Sequence, residues 1–456
     1  MMRPLKISIG GVRGVVGDTL DPRLMTNFAQ AFGTFIGPYP VLLSRDTRPS
    51  GPMVASCVAA GLLATGCQVV DLGICPTPSL QWAVKSSTAR GGIAVTAGHN
   101  AMEWNALKFI REDGQYLNPQ QGEELLNILH QGEFRKARHH RIKPMVAANP
   151  KVVRRHLDAI LRAIDRKAIA RAAPKVAVDC CNGACSTFSP GLIEELGCEV
   201  VPINTDIGQP FPHEPAPGPN NLGQLRALVA AAKADVGFAH DADGDRLGVV
   251  TEEGIAPGEE YTLCLATEAV LQRGDPGPIV TNVSTTGAVE RLAARYGRTV
   301  IRVPVGQSFV AEAAQTHDAA VAGEGSGGVM FPRLHCGHDS IAAMGHILEL
   351  MARTGRRISE LVRALPELYM EKRVIPCPAE RVSTVIETIR QEAEEGAFGG
   401  AINMEDGVKV SRDDSWVHVR ASITEPIIRV IAEAPTRAAA EDLAERFTRR
   451  VRQAVV

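Results

Sequence analysis

Three carboxylates stand two residues apart in Asp241-Ala242-Asp243-Gly244-Asp245-Arg246. An apolar run, Val236-Gly237-Phe238-Ala239, precedes them, and Leu247-Gly248-Val249-Val250 follows. Alternate residues of an extended loop point the same way, so the three acids are expected to converge. Converging carboxylates repel unless a cation joins them. An oxygen-only ligand set favours a hard ion, Mg²⁺ or Ca²⁺. An EF-hand is excluded, because Arg246 stands where its loop needs glycine and no helices flank the acids. A solvated acidic turn is the plainer alternative; the apolar strands on both sides argue against it.

Four further segments bear reactive or anion-binding groups. Thr96-Ala97-Gly98-His99-Asn100 follows the apolar strand Ile93-Ala94-Val95, at the kind of strand end where α/β sheets hold ligands. Lys108 comes shortly after, in Trp104-Asn105-Ala106-Leu107-Lys108, and lysine near another charge can serve as acid or base. A lone His or Lys beside a loop is more often structural. Gly323-Glu324-Gly325-Ser326-Gly327-Gly328 has the spacing of a dinucleotide fingerprint, but Pro332 forbids a helix opening on those glycines. Glu324 and Ser326 suit sugar hydroxyls better than a pyrophosphate. Arg420, Ser422, Thr424 and Arg429 mix guanidinium and hydroxyl groups in one short stretch, which suits a phosphate dianion as well as it suits an ordinary surface turn. Gly10-Gly11-Val12-Arg13-Gly14 and Arg45-Asp46-Thr47-Arg48 add arginines on loops and are individually unspecific.

The elements that must position these groups alternate. Val41-Leu42-Leu43 leads to a helix over Met53–Thr65 and then to Gln68-Val69-Val70. Val176-Ala177-Val178 leads to a helix near Pro190–Leu196 and then to Glu199-Val200-Val201. Pro278-Ile279-Val280, a helix near Gly287–Tyr296 and Val300–Val303 make a third such unit. Strand, helix and strand in repetition predict α/β domains with largely parallel sheets, and three units hint at an internal repeat. The C-terminal stretch differs. Gly407–Val410, Trp416–Val419 and Ile427–Glu433 read as strands, and Thr436–Val455 as a long helix, so an α+β domain is expected there. Linkers are expected near Lys143–Pro150, Gly254–Gly258 and Tyr369–Pro378.

A chain of 456 residues with 45% hydrophobic content exceeds one core. The formal net charge of −2 gives no general pull toward nucleic acid or an anionic membrane. The start of the chain lacks the apolar stretch of a signal peptide. The longest uncharged run, Met53 to Val70, is interrupted by polar residues and reads as a core helix and strand rather than a membrane span. A soluble cytoplasmic protein is expected. Ten irregularly spaced cysteines, Cys180, Cys181 and Cys185 among them, read as reduced thiols used as small hydrophobes.

Taken in order, the motifs resemble the α-D-phosphohexomutase family over essentially the whole chain. The arginine loop matches Gly11–Gly14, the phosphoserine loop Thr96–Asn100 and the metal loop Asp241–Arg246. The sugar loop matches Gly323–Gly327, and the C-terminal phosphate loop Arg420–Pro426. Trp104–Lys108 and Trp416–Arg420 look most like bacterial phosphoglucosamine mutases. The resemblance implies three related α/β domains with mixed, largely parallel sheets and a smaller C-terminal α+β domain around a central cleft. The expected spans are 1–147, 148–255, 256–371 and 372–456. It implies Mg²⁺ on Asp241, Asp243 and Asp245, and proton transfer and charge stabilisation by Lys108 and Arg13, with His99 in the phosphoserine loop. It further implies sugar contacts by Glu324 and Ser326, and a phosphate cradle of Arg420, Ser422, Thr424 and Arg429. The implied ligands are a phosphorylated hexose and a hexose bisphosphate. No oligomeric state is read from the sequence.

Three positions depart from the family pattern. Gly98 occupies the phosphoserine position and carries no nucleophile. Ala101 replaces the proline that commonly follows the asparagine, and Gly328 replaces the histidine that often ends the sugar loop. Three functions follow. The first is a mutase, of glucosamine phosphates foremost, whose phosphate comes from another group, Thr96 being the nearest hydroxyl, or from a soluble sugar bisphosphate. The second is a sugar-phosphate phosphatase. The third is a non-catalytic sugar-phosphate sensor or partner subunit.

Overall fold

The structure, a computed structural model, describes residues 5–8, 10–148, 151–422 and 426–455. Three sheets share one strand plan. In the first, Gln68–Ile74, Pro40–Arg45, Gly91–Val95 and Trp104–Arg111 lie side by side in that order. In the second the order is Glu199–Ile203, Lys175–Asp179, Val236–His240 and Leu247–Thr251. In the third it is Val300–Val303, Ile279–Asn282, Val321–Glu324 and Gly328–Met330. Each time the second strand in sequence lies outside the first, the third lies on the first's other side, and these three are parallel. The fourth strand returns antiparallel to the third. The repeat hinted at by the sequence is therefore a repeat of topology.

The first sheet is widened by Lys6–Ser8 and Gly11–Val15 on the antiparallel side and by Val146–Ala147 beyond Gln68–Ile74. Its third strand, Gly91–Val95, is buried at every residue, as a strand covered by helices on both faces must be. Two of the helices show why they begin where they do. Asp21 accepts from Leu24 N at 2.8 Å ahead of Pro22–Ile36. Asp339 Oδ1 accepts from Ile341 N and Ala342 N at 3.1 and 3.0 Å ahead of Ser340–Thr354. The latter helix is buried over most of its length and packs in a single core shared by the second and third units. The first unit has its own core around Phe28, Phe32 and Phe109.

The C-terminal unit is a five-stranded antiparallel sheet ordered Tyr369–Pro376, Ile427–Ala434, Ser415–Ala421, Val408–Arg412 and Ala401–Asn403. Helices Ala379–Glu394 and Arg437–Val455 close its core through Val385, Ile389, Phe447 and Val451. One sequence expectation is corrected here. The linker expected near Tyr369–Pro378 is a strand paired along its whole length with Ile427–Ala434, so the 371/372 boundary falls inside it. Seven of its eight residues are half-buried or exposed, with Val374 54% exposed, so no buried alternation marks it. All ten cysteines are free thiols, and Cys180, Cys181 and Cys185 are buried. Among the described residues, no helix is long and apolar enough to cross a membrane.

Candidate active site

The strand plan explains where the reactive segments meet. Gly98, the acidic triplet and the glycine-rich turn each occupy the connection from third to fourth strand in their own sheet. Three equivalent loops therefore face one cavity of about 320 Å³. Its walls include Arg13, Gly98, His99, Lys108, Asp241, Asp245, Arg246 and Glu324. The metal-type and sugar-type loops are joined directly, because Leu247 N donates to Gly327 O at 3.0 Å.

The acidic segment is a turn, with Gly244 at φ +77°, rather than the extended loop expected from the residue spacing. Arg246 N donates to Asp241 Oδ1 at 3.1 Å, and Ser340 Oγ donates to Gly244 O at 2.7 Å, which fixes the turn. All three carboxylates are buried, at 1%, 1% and 7% exposure for Asp241, Asp243 and Asp245. Lys108 Nζ bridges Asp243 Oδ2 at 2.6 Å and Asp245 Oδ2 at 2.7 Å. Thr77, at the start of a helix of the first unit, donates its hydroxyl to Asp243 Oδ2 at 2.6 Å. Burial and the neighbouring acids push Asp241 well above the usual carboxylate range and Asp245 up to about 6. Burial acts the same way on Asp243, but the Lys108 ammonium and the Thr77 hydroxyl outweigh it and hold that group low. Asp243 Oδ1 and Asp245 Oδ1 are buried with no hydrogen-bond partner among the described residues. Two orphaned carboxylate oxygens in an all-oxygen set are the donors a hard divalent cation takes, so the residues fit Mg²⁺.

Gly98 sits at φ +55° against this cluster. A Cβ built there would lie 3.3 Å from Asp243 Oδ1, 3.7 Å from Lys108 Nζ and 3.9 Å from Asp241 Oδ2. The loop is held by Arg48, which is fully buried and donates to Gly98 O, Asn100 O and Ala101 O at 2.8, 2.8 and 2.6 Å. Its Nε also pairs with Asp46 Oδ2 at 2.9 Å. The Thr96 hydroxyl is tied into the loop. It donates to Asp46 Oδ2 at 2.6 Å and accepts from Gly98 N at 3.0 Å. His99 is held far below its usual pKa by Arg246, by burial, and by Arg13, Lys108 and Arg48, so its ring is neutral amid cations.

Glu324 Oε1 accepts from Asn282 Nδ2 at 2.7 Å and from Gly306 N at 3.3 Å. Ser326 lies at the tip of its turn, half-buried and off the cavity wall. Arg420 and Arg429 face each other across neighbouring strands, with Ser422 N bonded to Ile427 O, and none of the three lines the cavity. Thr424 lies outside the described residues. The link to the cavity runs through Asp406, whose Oδ2 accepts from Arg420 Nε at 3.1 Å and from Val305 N, on the cavity wall, at 3.0 Å.

Four family models for phosphoglucomutase/phosphomannomutase match in succession. The α/β/α domains I, II and III match residues 6–136, 154–254 and 258–369, and the C-terminal domain matches 379–450. The chain belongs to the phosphoglucomutase/phosphomannomutase family. A phosphoglucomutase/phosphomannomutase of Thermococcus kodakarensis is 35% identical over 442 residues, spanning 95% of this chain and 96% of the relative. A probable phosphoglucosamine mutase of Methanopyrus kandleri is 33% identical, spanning 98% and 97%. The crystal structure of a family protein from Burkholderia thailandensis superposes with a TM-score of 0.84 at 29% identity, covering 98% of this chain and 97% of the other. The chain is thus an enzyme of the phosphohexomutase type, an intramolecular phosphotransferase acting on sugar phosphates.

A second cluster in this phosphohexomutase-type chain has metal-like spacing. His156, His335 and Asp339 bring one ligand atom each within 4.8 Å of one another. Imidazole nitrogens suit zinc better than Mg²⁺. Both Nε2 atoms already bond Asp339 Oδ2, at 3.0 and 3.1 Å, and His335 Nδ1 accepts from Gly337 N at 3.1 Å. That last bond puts the His335 proton on Nε2, where it faces the carboxylate. The cluster is a satisfied clasp, and through the Ser79–His156 bond at 2.9 Å it ties the first unit to the third.

The sequence marks some residues around the site and leaves others unmarked. Arg246 is visible in the sequence beside the acids, and Arg48 within its arginine segment. Gln307 and His338 reach the cavity through tertiary packing alone.

Proposed function

We propose that the protein interconverts the 6-phosphate and 1-phosphate of a hexose, glucosamine foremost, in a Mg²⁺-dependent reaction whose phosphate comes from a hexose bisphosphate. The carrying observation is at residue 98. Its missing Cβ points at Asp243, Asp241 and Lys108, so the position is next to the reactive cluster yet has no oxygen to phosphorylate. The nearest other hydroxyl, on Thr96, is buried and held between Asp46 Oδ2 and Gly98 N, where it fixes the loop. A bound bisphosphate then remains as the donor.

Asp241, Asp243 and Asp245 would hold Mg²⁺, which supplies neutralisation of phosphoryl charge when bound. Lys108 is the ammonium nearest residue 98 and would offer its proton to an oxygen there. Arg13 and Arg246, with the neutral His99 between their fields, give the transferring group a cationic wall. Glu324 and Ser326 would orient the sugar through its hydroxyls. Arg420, Ser422, Thr424 and Arg429 would hold the phosphate that does not react. The glucosamine preference rests on the likeness of Trp104–Lys108 and Trp416–Arg420 to phosphoglucosamine mutases.

The test is a coupled assay on glucosamine 6-phosphate and glucose 1-phosphate with Mg²⁺, with and without glucose 1,6-bisphosphate. Turnover that requires the bisphosphate supports the proposal. Release of inorganic phosphate identifies a phosphatase instead. Tight binding without turnover under every condition identifies a sugar-phosphate sensor.

A further inference from the structure

His338 has no role so far, and its surroundings are unusual for a packed histidine. It is 4% exposed, yet its Nε2 has no hydrogen-bond partner among the described residues. A buried polar nitrogen left unpaired is destabilising, because it has given up water without gaining a partner. The ring lines the same cavity as Lys108, Arg246 and Glu324, and Nε2 lies 3.6 Å from Glu324 Oε2, too far for a hydrogen bond. Burial, with Arg246 and Lys108, lowers its pKa to about 3, so the imidazole is neutral and forms no ion pair with Glu324. Gln307 Nε2, on the same cavity wall, is also buried without a partner among the described residues.

The placement of the ring is built in from both sides. A Cβ on Gly328 would lie 2.6 Å from His338 Cγ and no farther from Nδ1 and Cε1, where no real Cβ can stand. Only glycine at 328 lets the imidazole lie against that backbone. The flanking residues are locked: Gly337 N donates to His335 Nδ1, and Asp339 N donates to Val329 O at 2.8 Å while its carboxylate caps the following helix.

We propose that His338 is a substrate-reading residue, whose Nε2 bonds a hydroxyl of the bound sugar beside Glu324. The hydroxyl donates to the carboxylate and accepts from the imidazole, so the pair tests both the presence and the direction of one ring hydroxyl. This rests on the sugar-phosphate reading of the cavity given above. A site that bonds a hydroxyl from buried polar groups discriminates strongly against the analogue that lacks it.

The experiment is a binding cycle on the full chain with Mg²⁺, by titration calorimetry. The ligands are glucose 1-phosphate and its 2-, 3- and 4-deoxy forms; the proteins are the wild type, His338→Phe and His338→Gln. The wild type should bind one deoxy form about tenfold or more weakly than the parent sugar, a loss of ~1.4 kcal/mol or more. His338→Phe should bind the parent weakly and lose that distinction, while keeping its response to the other deoxy forms. His338→Gln, which returns an amide to the position, should recover part of it. Gly328→Ala, which displaces the ring without changing its chemistry, should mimic His338→Phe. If His338→Phe binds all four ligands as the wild type does, or weakens all four equally, the inference is overturned. If the wild type binds none of them, the sugar-phosphate reading itself fails, and His338 with it.

Discussion

Placing a hydroxyl at residue 98 is the perturbation whose outcome the geometry fixes most closely. Gly98 lies at φ +55°, a region that costs an L-residue about 1–2 kcal/mol. The added Cβ would meet Asp243 Oδ1 at 3.3 Å, a close approach to a side-chain atom that can yield. Gly98→Ser should therefore lose about 1–2 kcal/mol, which a domain of ordinary stability survives. Gly98→Ala carries the same backbone cost without the oxygen, so the two variants should unfold at the same urea concentration. Their chemistry should differ. The Ser oxygen would extend toward Asp241, Asp243 and Lys108, where glucose 1,6-bisphosphate would deliver its phosphate. Intact mass should show one added phosphate on the Ser variant and none on the Ala variant. Mutase turnover should rise in the first alone and persist after the bisphosphate is diluted away. If both variants fold and neither takes up phosphate, residue 98 does not face the transfer position and the reasoning fails.

Other perturbations follow from the same contacts. Asp243→Asn removes a ligand charge from the triplet and should weaken Mg²⁺ about tenfold or more, or ~1.4 kcal/mol; an unchanged titration would move the metal elsewhere. Arg48→Ala takes away the partner of buried Asp46 and the donor to three loop carbonyls, and should cost about 3–5 kcal/mol in chemical denaturation; a loss under about 1 kcal/mol would mean the loop stands without it. Lys409 donates to Val283 O and lies over the Trp416 ring, and burial followed by the Arg302 charge lowers its pKa to about 7. The unfolded chain holds that proton until about pH 10.4, so between these limits unfolding takes up a proton and stability rises with pH. Lys409→Met should remove up to about 1.4 kcal/mol per pH unit of that slope; parallel stability curves for the two proteins from about pH 7 to 10 would refute it.

How much of this is legible in the sequence depends on whether the information is local. The acidic triplet announces itself because three carboxylates confined between two apolar runs need a cation to hold them together. That they form a turn is hidden, since it hinges on Gly244 at φ +77° and on Ser340 reaching back from almost a hundred residues away. The repeat is visible only as strand, helix and strand. Its common strand order, which brings three loops to one cavity, arises from pairings that no local pattern encodes. Tyr369–Pro376 reads as a linker because its partner lies more than fifty residues later and its own faces are half-exposed. His338 carries no signal at all in one dimension. It becomes a site residue only because Gly328, ten positions earlier, has no side chain to keep it out.

On the proposed mechanism, glycine at residue 98 also alters the charge balance that the remaining residues must meet. Three carboxylates face the Lys108 ammonium and the nearby Arg246 guanidinium, and with Asp241 protonated the two remaining carboxylates offset these two cations, leaving no positive charge to spare for a dianion. In a phosphoserine enzyme the phosphate is tethered, so its repulsion from the acids is offset by a covalent bond. With Gly98 at that position, the proposed donor phosphate would arrive free. Two unit charges 4 Å apart interact by about 4 kcal/mol at a partly buried site, enough to shift an affinity by nearly a thousandfold. Lys108 cannot cancel that repulsion alone, because its single charge and two of its three N–H donors already serve Asp243 and Asp245. The orphaned Asp243 Oδ1 and Asp245 Oδ1 leave room for a divalent cation to supply the missing charge, and linkage then requires each partner to tighten the other. On the proposed mechanism, glycine at residue 98 would turn a metal that assists a tethered phosphate into one on which phosphate binding itself depends.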